Sequence, residues 1–295
     1  MTVAILGASG FVGRNLVSHL LYSTDYKILA ISRRTESIQV PQKYRQRLKT
    51  VSCDIFDETA LLKNLQGVET VYYLIHSLGG YHNDFHEKDE QAANIFCRIA
   101  KQCRIKKVIY VGALGAANEK LSLHLSSRQS VGLILRQNLA NVVEFRASII
   151  IGLSSLSFEI IRTLVDKLSF MILPGWANTR IQPIGLGDCL AYLAAALDNS
   201  FDKNEIIEIG GPEVMTYQQL LSRYAGFSHK RLLIVVIPFL PKWPGSIWLR
   251  LFVPNNLYTT GRAMIASLSN DMVVTDHSAD KFFPEIKPAG IEESF

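Results

Sequence analysis

The sequence predicts an α/β fold, a doubly wound parallel sheet with a smaller C-terminal lobe interleaved with it. Short apolar runs alternate with segments of helical periodicity through the first half of the chain, as in repeated strand–helix–strand units. A glycine-rich turn joins the first apolar run to the first helical segment. The 295 residues, 48% hydrophobic and 19% charged, are enough for a large buried core.

Six strands and four helices are predicted up to residue 146. The strands are continuous apolar runs, which is typical of parallel strands covered on both faces. They are Thr2–Leu6, Tyr26–Ile31, Leu48–Ser52, Thr70–Ile75, Lys107–Val111 and Asn141–Arg146. The helices are Phe11–Leu21, a short helix capped by Asp57, Asp84–Cys103 and Leu121–Asn138.

The pattern loosens after Gly152. Helices are predicted over Ser155–Met171, Gly187–Leu197 and Thr216–Tyr224, and extended segments over Arg180–Ile184, Ile206–Ile209 and Leu232–Ile237. There is no internal repeat and no low-complexity linker. We therefore predict a nucleotide-binding domain over residues 1–152 and an interleaved lobe over residues 153–295.

Composition argues against several classes of function. The net charge of +5 is modest and its basic residues are scattered, so no nucleic-acid partner is expected. The four cysteines form no C-x-x-C pair, so we expect reduced thiols, no metal site and a cytoplasmic location. The chain opens on a strand, which leaves no room for a signal peptide, and its longest apolar run, Leu232–Leu240, is too short to span a bilayer.

The glycine-rich turn Gly7-Ala8-Ser9-Gly10-Phe11-Val12-Gly13 predicts a dinucleotide-binding loop. Gly7 permits a tight turn, Gly10 lets the backbone approach a pyrophosphate, and Gly13 lets the helix pack closely on the strand. The free amides and the positive end of the helix dipole then face the phosphates. We expect Ser9, Phe11 and Val12 to line the same site.

The end of the second strand favours NADP(H) over NAD(H). An NAD site usually has Asp or Glu there, whereas this chain has Ser32-Arg33-Arg34. An acidic residue would repel the 2′-phosphate of NADP, and arginine forms charge-assisted bonds with it. The alternative is a pair of solvent-facing arginines.

Other strand ends complete the predicted cofactor site, because ligands of open α/β sheets lie at the carboxyl edge. Asp54 follows the third strand and could accept from the adenine amino group or cap a helix. The remaining predicted contacts are Ile55, Ile75, His76, Ser77, Val111, Gly112, Arg128, Ser148 and Ile149.

With these residues in place, the chain resembles the short-chain dehydrogenase/reductase superfamily. It is most similar to the atypical extended branch, the NAD(P)H-binding proteins akin to NmrA-like proteins and to the accessory NAD(P)H-binding subunit of respiratory complex I. Besides the glycine loop, the matching pieces are Tyr72–Ser77, Val108–Gly112, Phe145–Gly152, Gln182–Ile184 with Asp188, and Glu208–Pro212. The resemblance implies a Rossmann-type fold and an oxidoreductase that transfers a hydride to or from a carbonyl or alcohol.

The catalytic signature of that superfamily is a Ser or Thr after the fifth strand and a later Tyr-x-x-x-Lys. Here Gly112-Ala113 carry no hydroxyl, and His124 and Arg128 stand in the Tyr and Lys places. One interpretation makes His124 the proton donor, since histidine titrates near neutral pH, with Arg128 on the ribose and His76 assisting. The other is a non-catalytic NADP(H)-binding protein with a redox-sensing or assembly role.

Three further features have open interpretations. The loop Gly79–Asp84 is either a lid over the nicotinamide or a plain connection. Arg146 and Arg180 could meet an anionic substrate, although structural ion pairs are the stronger expectation. The apolar segment 232–254 could roof the pocket of a small apolar or carbonyl substrate, make a peripheral membrane or protein contact, or be ordinary core.

Overall fold

The computed structural model describes residues 1–36, 38, 40–77, 85–115, 121–240 and 267–295. Its centre is a parallel sheet of seven strands in the order β11-β6-β5-β4-β1-β2-β3. These strands are β1 (Thr2–Leu6), β2 (Lys27–Ser32), β3 (Leu48–Ser52), β4 (Thr70–Tyr73), β5 (Lys107–Ala113), β6 (Val142–Ala147) and β11 (Glu205–Ile209). The order reverses between β1 and β4, which creates a crevice at the carboxyl edge where ligands bind in such folds.

Helices cover both faces of this sheet. They are α1 (Phe11–Ser23), α2 (Glu58–Leu65), α3 (Phe85–Gln102), α4 (Leu123–Asn138), α5 (Leu156–Lys167), α6 (Leu186–Asp198), α7 (Tyr217–Phe227) and α8 (Ser278–Phe282). Helices α1, α6 and α8 share one buried core with the sheet, and α2, α3 and α4 share the core on the opposite face. The predicted doubly wound α/β architecture is therefore confirmed.

The chain leaves the sheet after β6 and later returns to it. Strand β11 pairs in parallel with β6, so the second half of the chain supplies an edge of the central sheet. Three small two-stranded sheets accompany it: β7 (Ile150–Ile151) with β10 (Ile184–Gly185), β9 (Arg180–Ile181) with β12 (Met215–Thr216), and β8 (Phe170–Pro174) with β13 (Leu233–Ile237). The domain boundary near residue 152 stays a prediction.

One predicted helix is too long. The segment Ser155–Met171 is helical only over α5, which ends at Lys167, and Met171 lies in β8 instead. The strand forms because β13, about sixty residues later in sequence, pairs with it in register from Phe170 opposite Leu233. The start of the predicted helix at Asp84, together with the loop from Gly79, lies outside the described residues.

The apolar segment 232–254 is described only as far as Leu240. Along β13, Ile234 and Val236 pack against the core of the lobe, while Leu233, Val235 and Ile237 face outward. The rest of that segment, from residue 241 on, lies outside the described residues. Within the described ranges, no helix has both the length and the hydropathy needed to cross a membrane, and no group of three His, Cys, Asp or Glu side chains could hold a metal ion.

Candidate functional site

The glycine loop is shaped by two close backbone approaches. Gly7 has a φ of +83°, and a Cβ atom there would lie 2.6 Å from the carbonyl oxygen of Leu74. A Cβ atom on Gly13 would lie 2.3 Å from the carbonyl oxygen of Gly7. A larger residue at Gly7 would push the loop away from the end of β4, and one at Gly13 would push α1 away from the loop, because both obstacles are backbone atoms.

Helix α1 begins at this loop with its first turn open. Gly10 occupies the N-cap position and no side chain caps the helix. The loop is fixed to the end of β2, because the amides of Gly7 and Ala8 donate to the carbonyl oxygen of Ile31 over 3.0 and 3.2 Å. The amides of the first turn are therefore held in place and face the crevice, an arrangement that suits a pyrophosphate.

The end of β2 presents two cations to solvent. Ser32 is buried and its hydroxyl donates to the Arg34 carbonyl oxygen over 2.5 Å, while the Ser52 hydroxyl donates to the Arg33 carbonyl oxygen over 3.1 Å. The side chains of Arg33 and Arg34 are exposed, and neither has an ion-pair or hydrogen-bond partner among the described residues. Their backbone is thus fixed while their charges stay available.

Asp54 lies at the carboxyl edge after β3 and does not cap α2. Its Oδ1 accepts from the Phe56 amide over 3.1 Å. The cap of α2 is Asp57, whose Oδ1 accepts from the Ala60 amide over 2.9 Å, as the sequence predicts. The helix-cap interpretation of Asp54 is therefore wrong, and its exposed carboxylate, next to the buried Ile55, stays available at the edge.

Asp89 ties the end of β4 to helix α4. This buried carboxylate accepts from the Ser77 amide over 2.7 Å and from the Ser127 hydroxyl over 2.9 Å. Ser77 directly follows His76, and Ser127 directly precedes Arg128. The two predicted site segments are therefore joined through one side chain that the sequence analysis did not single out.

Arg128 is held against the end of β5. Its Nη2 donates to the Val111 carbonyl oxygen over 2.6 Å, and its guanidinium lies 5.6 Å from the centre of the Tyr110 ring. The Tyr110 hydroxyl in turn donates to the carbonyl oxygen of Arg128 over 2.8 Å. These contacts place a fixed positive charge beside the crevice.

His124 and His76 both lie near Arg128 and are both neutral at neutral pH. Burial, with the charge of Arg128, lowers the pKa of His124 to about 4. His76 faces the cleft with accessible surface, yet desolvation by the surrounding protein, then Arg128 and His124, lower its pKa to about 3. The expectation that His124 titrates near neutral pH is therefore wrong, because desolvation and a neighbouring cation disfavour the imidazolium.

Gly112 is constrained by a buried carboxylate. Glu144 on β6 is fully buried and forms ion pairs with Arg136 and Arg146. A Cβ atom on Gly112 would lie 2.8 Å from its Oε1, and one on Gly132 of α4 would lie 2.4 Å from its Oε2. The missing hydroxyl at position 112 thus has a structural cause, and Arg146 is an ion-pair partner rather than a substrate contact.

One cavity of about 330 Å³ connects the glycine loop to the C-terminal lobe. The predicted site residues that line it are Gly7, Gly10, Phe11, Val12, Gly13, His76, Val111, Gly112, His124, Arg128, Ser148 and Ile149. Those outside its lining are Ser9, Ser32, Arg33, Arg34, Asp54, Ile55, Ile75 and Ser77, most of which stand at or next to the carboxyl ends of β2, β3 and β4. The structure thus brings both histidines, Arg128 and the glycine loop to one cavity.

The far end of the cavity consists of residues that the sequence analysis missed. Its walls there include Ile161, Leu164, Trp176, Tyr217 and Met272. They come from helices α5 and α7 and from the segments around residues 176 and 272, which no local motif links. Only the general prediction of an apolar pocket under the C-terminal lobe pointed to them.

The start of α4, which carries His124, is fixed by distant residues. Ser122 is its N-cap and accepts from the Leu125 amide over 3.2 Å. The Ser122 hydroxyl also lies 2.8 Å from that of Ser267, and the Ser122 amide donates to Asn270 over 3.1 Å. Residues about 145 positions later thus hold this helix in place. Arg180 pairs with Asp271 in the same segment, over 2.8 Å, and is therefore structural.

The parallel sheet, its strand reversal and the open glycine loop define a dinucleotide-binding α/β protein. A family model described as NAD(P)H-binding matches residues 7–163, and the chain belongs to this family. The match begins at Gly7, directly after β1, and extends through β2 to β7 and most of α5.

A curated relative is the mitochondrial subunit 9 of the NADH dehydrogenase [ubiquinone] 1 alpha subcomplex of Arabidopsis thaliana. It is 26% identical over 226 residues, which are 75% of this chain. The match spans 56% of the length of that relative.

Solved structures show the same fold at low identity. A nucleoside-diphosphate-sugar epimerase from Staphylococcus aureus has a TM-score of 0.77 at 15% identity. A triphenylmethane reductase from Citrobacter sp., complexed with NADP(H), has a TM-score of 0.76 at 16% identity. An NADPH-dependent quinone oxidoreductase from Escherichia coli, complexed with NADPH, has a TM-score of 0.76 at 17% identity. Each comparison covers 99% of this chain and 98% of the other.

Proposed function

We propose that this protein is an NADP(H)-dependent oxidoreductase that transfers a hydride between the cofactor and a carbonyl or alcohol of an apolar substrate. The observation that carries the proposal is a continuous cavity lined by the glycine loop, by His124 and Arg128, and by apolar residues of the lobe. Such a cavity can hold the two reactants side by side, which is the main requirement of hydride transfer.

The residues at the loop fit the cofactor. At Gly7 and Gly13 a Cβ atom would collide with backbone oxygens, so only glycine allows this tight loop, and the amides of α1 face the position of a pyrophosphate. Arg33 and Arg34 would take the 2′-phosphate of NADP(H), because their guanidinium groups are exposed and have no described partner. When bound, the nicotinamide supplies the hydride.

Arg128 and His124 would act on the substrate oxygen. A neutral imidazole cannot release a proton readily, but its N–H can donate a hydrogen bond. The fixed charge of Arg128 would stabilise negative charge that develops on the same oxygen. In this scheme His124 orients the carbonyl and Arg128 supplies most of the electrostatic stabilisation. The alkoxide left by hydride addition would take its proton from water that enters the open cleft, and the reverse reaction would return that proton to water.

Oxidation of NADPH by purified protein tests the reaction. A panel of quinones and aldehydes is offered, and absorbance of NADPH is followed with wild type, Arg128→Ala and Lys203→Ala. Lys203 is exposed at the start of the edge strand β11, so its variant is the control. We expect a reaction in wild type and the control and a loss of at least tenfold in Arg128→Ala. No oxidation across the panel, with NADPH shown to bind, would refute the proposal.

Cofactor preference is tested by binding. Arg33→Ala/Arg34→Ala should weaken NADPH binding by about ten- to a hundredfold, the value of one or two charge-assisted hydrogen bonds. NADH binding should change little, since NADH lacks the 2′-phosphate. Equal losses for both cofactors, or none for NADPH, would contradict the assignment to NADP(H).

A second candidate function is a non-catalytic NADP(H)-binding protein that senses redox state or assists assembly of a complex. It is favoured by the absence of a hydroxyl at Gly112 and Ala113 and by the low pKa of His124. The similarity to a subunit of a respiratory dehydrogenase agrees with it. A partner captured from cell extract whose yield depends on NADP(H) would support the sensor form, and a yield indifferent to the cofactor would refute it.

A further inference from the structure

The apolar end of the cavity is lined by two aromatic residues whose polar groups have no partner in the part of the chain that the structure describes. Trp176 and Tyr217 both line this end, and their rings meet edge to face with centres 6.1 Å apart. The indole Nε1 of Trp176 is buried and has no hydrogen-bond partner within the described ranges. Tyr217 is only 6% exposed, and its hydroxyl has no partner among the described residues.

Unsatisfied buried donors are unfavourable. Each costs about 1–3 kcal/mol when it loses its water without gaining a partner. Most buried polar groups in proteins are paired, so the unpaired indole N–H of Trp176 needs an explanation. A bound molecule with an oxygen acceptor would satisfy it and would also pair with the neighbouring Tyr217 hydroxyl.

We propose that Trp176 and Tyr217 form a substrate subsite that recognises an oxygen acceptor, a carbonyl or ether, on an otherwise apolar ligand. This inference rests on the proposed oxidoreductase function, because it adds a second anchoring point to the same cavity. The subsite lies at the lobe end, whereas His124 and Arg128 belong to the end shared with the cofactor.

The chemistry of the walls defines the ligand further. Around the two rings the lining is aliphatic, with Ile161, Leu164 and Met272, so it favours flat or extended hydrocarbon surface. Both groups act as donors, since an indole N–H cannot accept and burial raises the pKa of Tyr217, which keeps the phenol protonated. A ligand with oxygens at both ends, such as a quinone, could bind at the subsite and react at the other end.

Ring-conserving substitutions isolate the two hydrogen bonds. Tyr217→Phe removes only the hydroxyl, and Trp176→Phe removes the indole N–H while it keeps an aromatic ring. Tyr224→Phe is the matched control, because Tyr224 is equally buried on the same helix but does not line the cavity. Thermal unfolding of each variant shows that it is folded.

Binding is measured by equilibrium dialysis with menadione and with methylnaphthalene, a hydrocarbon of similar shape without oxygen. Saturating NADP⁺ is present, so that no turnover occurs. We expect Tyr217→Phe and Trp176→Phe each to weaken menadione binding by about three- to tenfold, the value of one hydrogen bond. Methylnaphthalene binding should change less than twofold, and Tyr224→Phe should alter neither.

Other results would overturn the inference: no menadione binding to wild type, no loss in Tyr217→Phe, or equal losses for both ligands. Should Trp176→Phe fail to fold, Tyr217→Phe decides alone. The proposed reaction is judged separately by NADPH oxidation. Tyr217-dependent menadione binding without turnover would uphold the subsite and refute the reaction, whereas turnover unaffected by both variants would refute the subsite alone.

Discussion

Restoring the hydroxyl that the superfamily carries after its fifth strand should fail at Gly112. The substitution Gly112→Ser adds a Cβ atom 2.8 Å from Oε1 of Glu144. Glu144 has little freedom to move, because it is fully buried and Arg136 and Arg146 hold its two oxygens in ion pairs. The serine would therefore strain a buried charged cluster.

The expected destabilisation is that of overpacking in a rigid core, about 1–3 kcal/mol. For a protein of this size, that corresponds to a fall in Tm of roughly 2–12 °C. Ala113→Ser is the matched control, because the side chain of the next residue points to the opposite face of the strand and lines the cavity. We expect its Tm to fall by no more than about 2 °C.

Thermal unfolding followed by circular dichroism measures both variants. A Gly112→Ser protein as stable as wild type would show that Glu144 can move, and would refute this account of the glycine. NADPH oxidation is measured in parallel. A gain of activity in Gly112→Ser would contradict it as well, because the new side chain should point at Glu144 rather than into the cavity.

Three further predictions test the loop, the histidine and the buried pair. Gly13→Ala should weaken NADPH binding at least tenfold in a titration, because its Cβ atom would lie 2.3 Å from a backbone oxygen. Gly187→Ala is the control: its Cβ atom would have no neighbour within 4 Å, so this variant should bind NADPH as wild type does. The pKa of His124 falls from 6.5 to about 4 on folding, so its contribution to the free energy of unfolding is complete above pH 6.5 and is lost as the pH falls towards 4. In urea unfolding, His124→Gln should therefore lose less stability than wild type between pH 6.5 and 4. An equal loss of stability in both proteins would contradict the assignment. Glu144→Gln should cost about 3–5 kcal/mol in the same assay, because it leaves two arginines beside a neutral amide, while Glu58→Gln in an exposed pair should cost about 1 kcal/mol or less. Similar losses in both glutamine variants would refute the buried-pair argument.

Most of the sheet could be predicted from the sequence, because buried parallel strands are continuous apolar runs. The bounds of β1 and β3 agree with the prediction, and those of β2, β5 and β6 differ by one or two residues. Local signals also located the caps: Asp57 caps α2, and the predicted helix at Thr216 begins there with a capping box. These features depend on neighbouring residues alone.

The errors come from interactions that no local pattern records. Residues around Met171 are compatible with helix or strand, and the pairing of β8 with the distant β13 decides the outcome. The pKa of His124 depends on burial and on Arg128, which only the packed structure brings beside it. Asp89, Trp176 and Tyr217 were missed for the same reason, since each gains its role from partners far away in sequence.

The anchoring of Ser122 by Ser267 and Asn270 has a consequence for the order of assembly. The glycine loop needs only β1, α1, the end of β2 and the segment around Leu74, all of which leave the ribosome early. The helix that carries His124 and Arg128 gains its final position only when residues near 270 have been made. The glycine loop can thus form well before the helix that carries His124 and Arg128 has its anchors, and the cavity between them is complete only after the residues near 270 have been made.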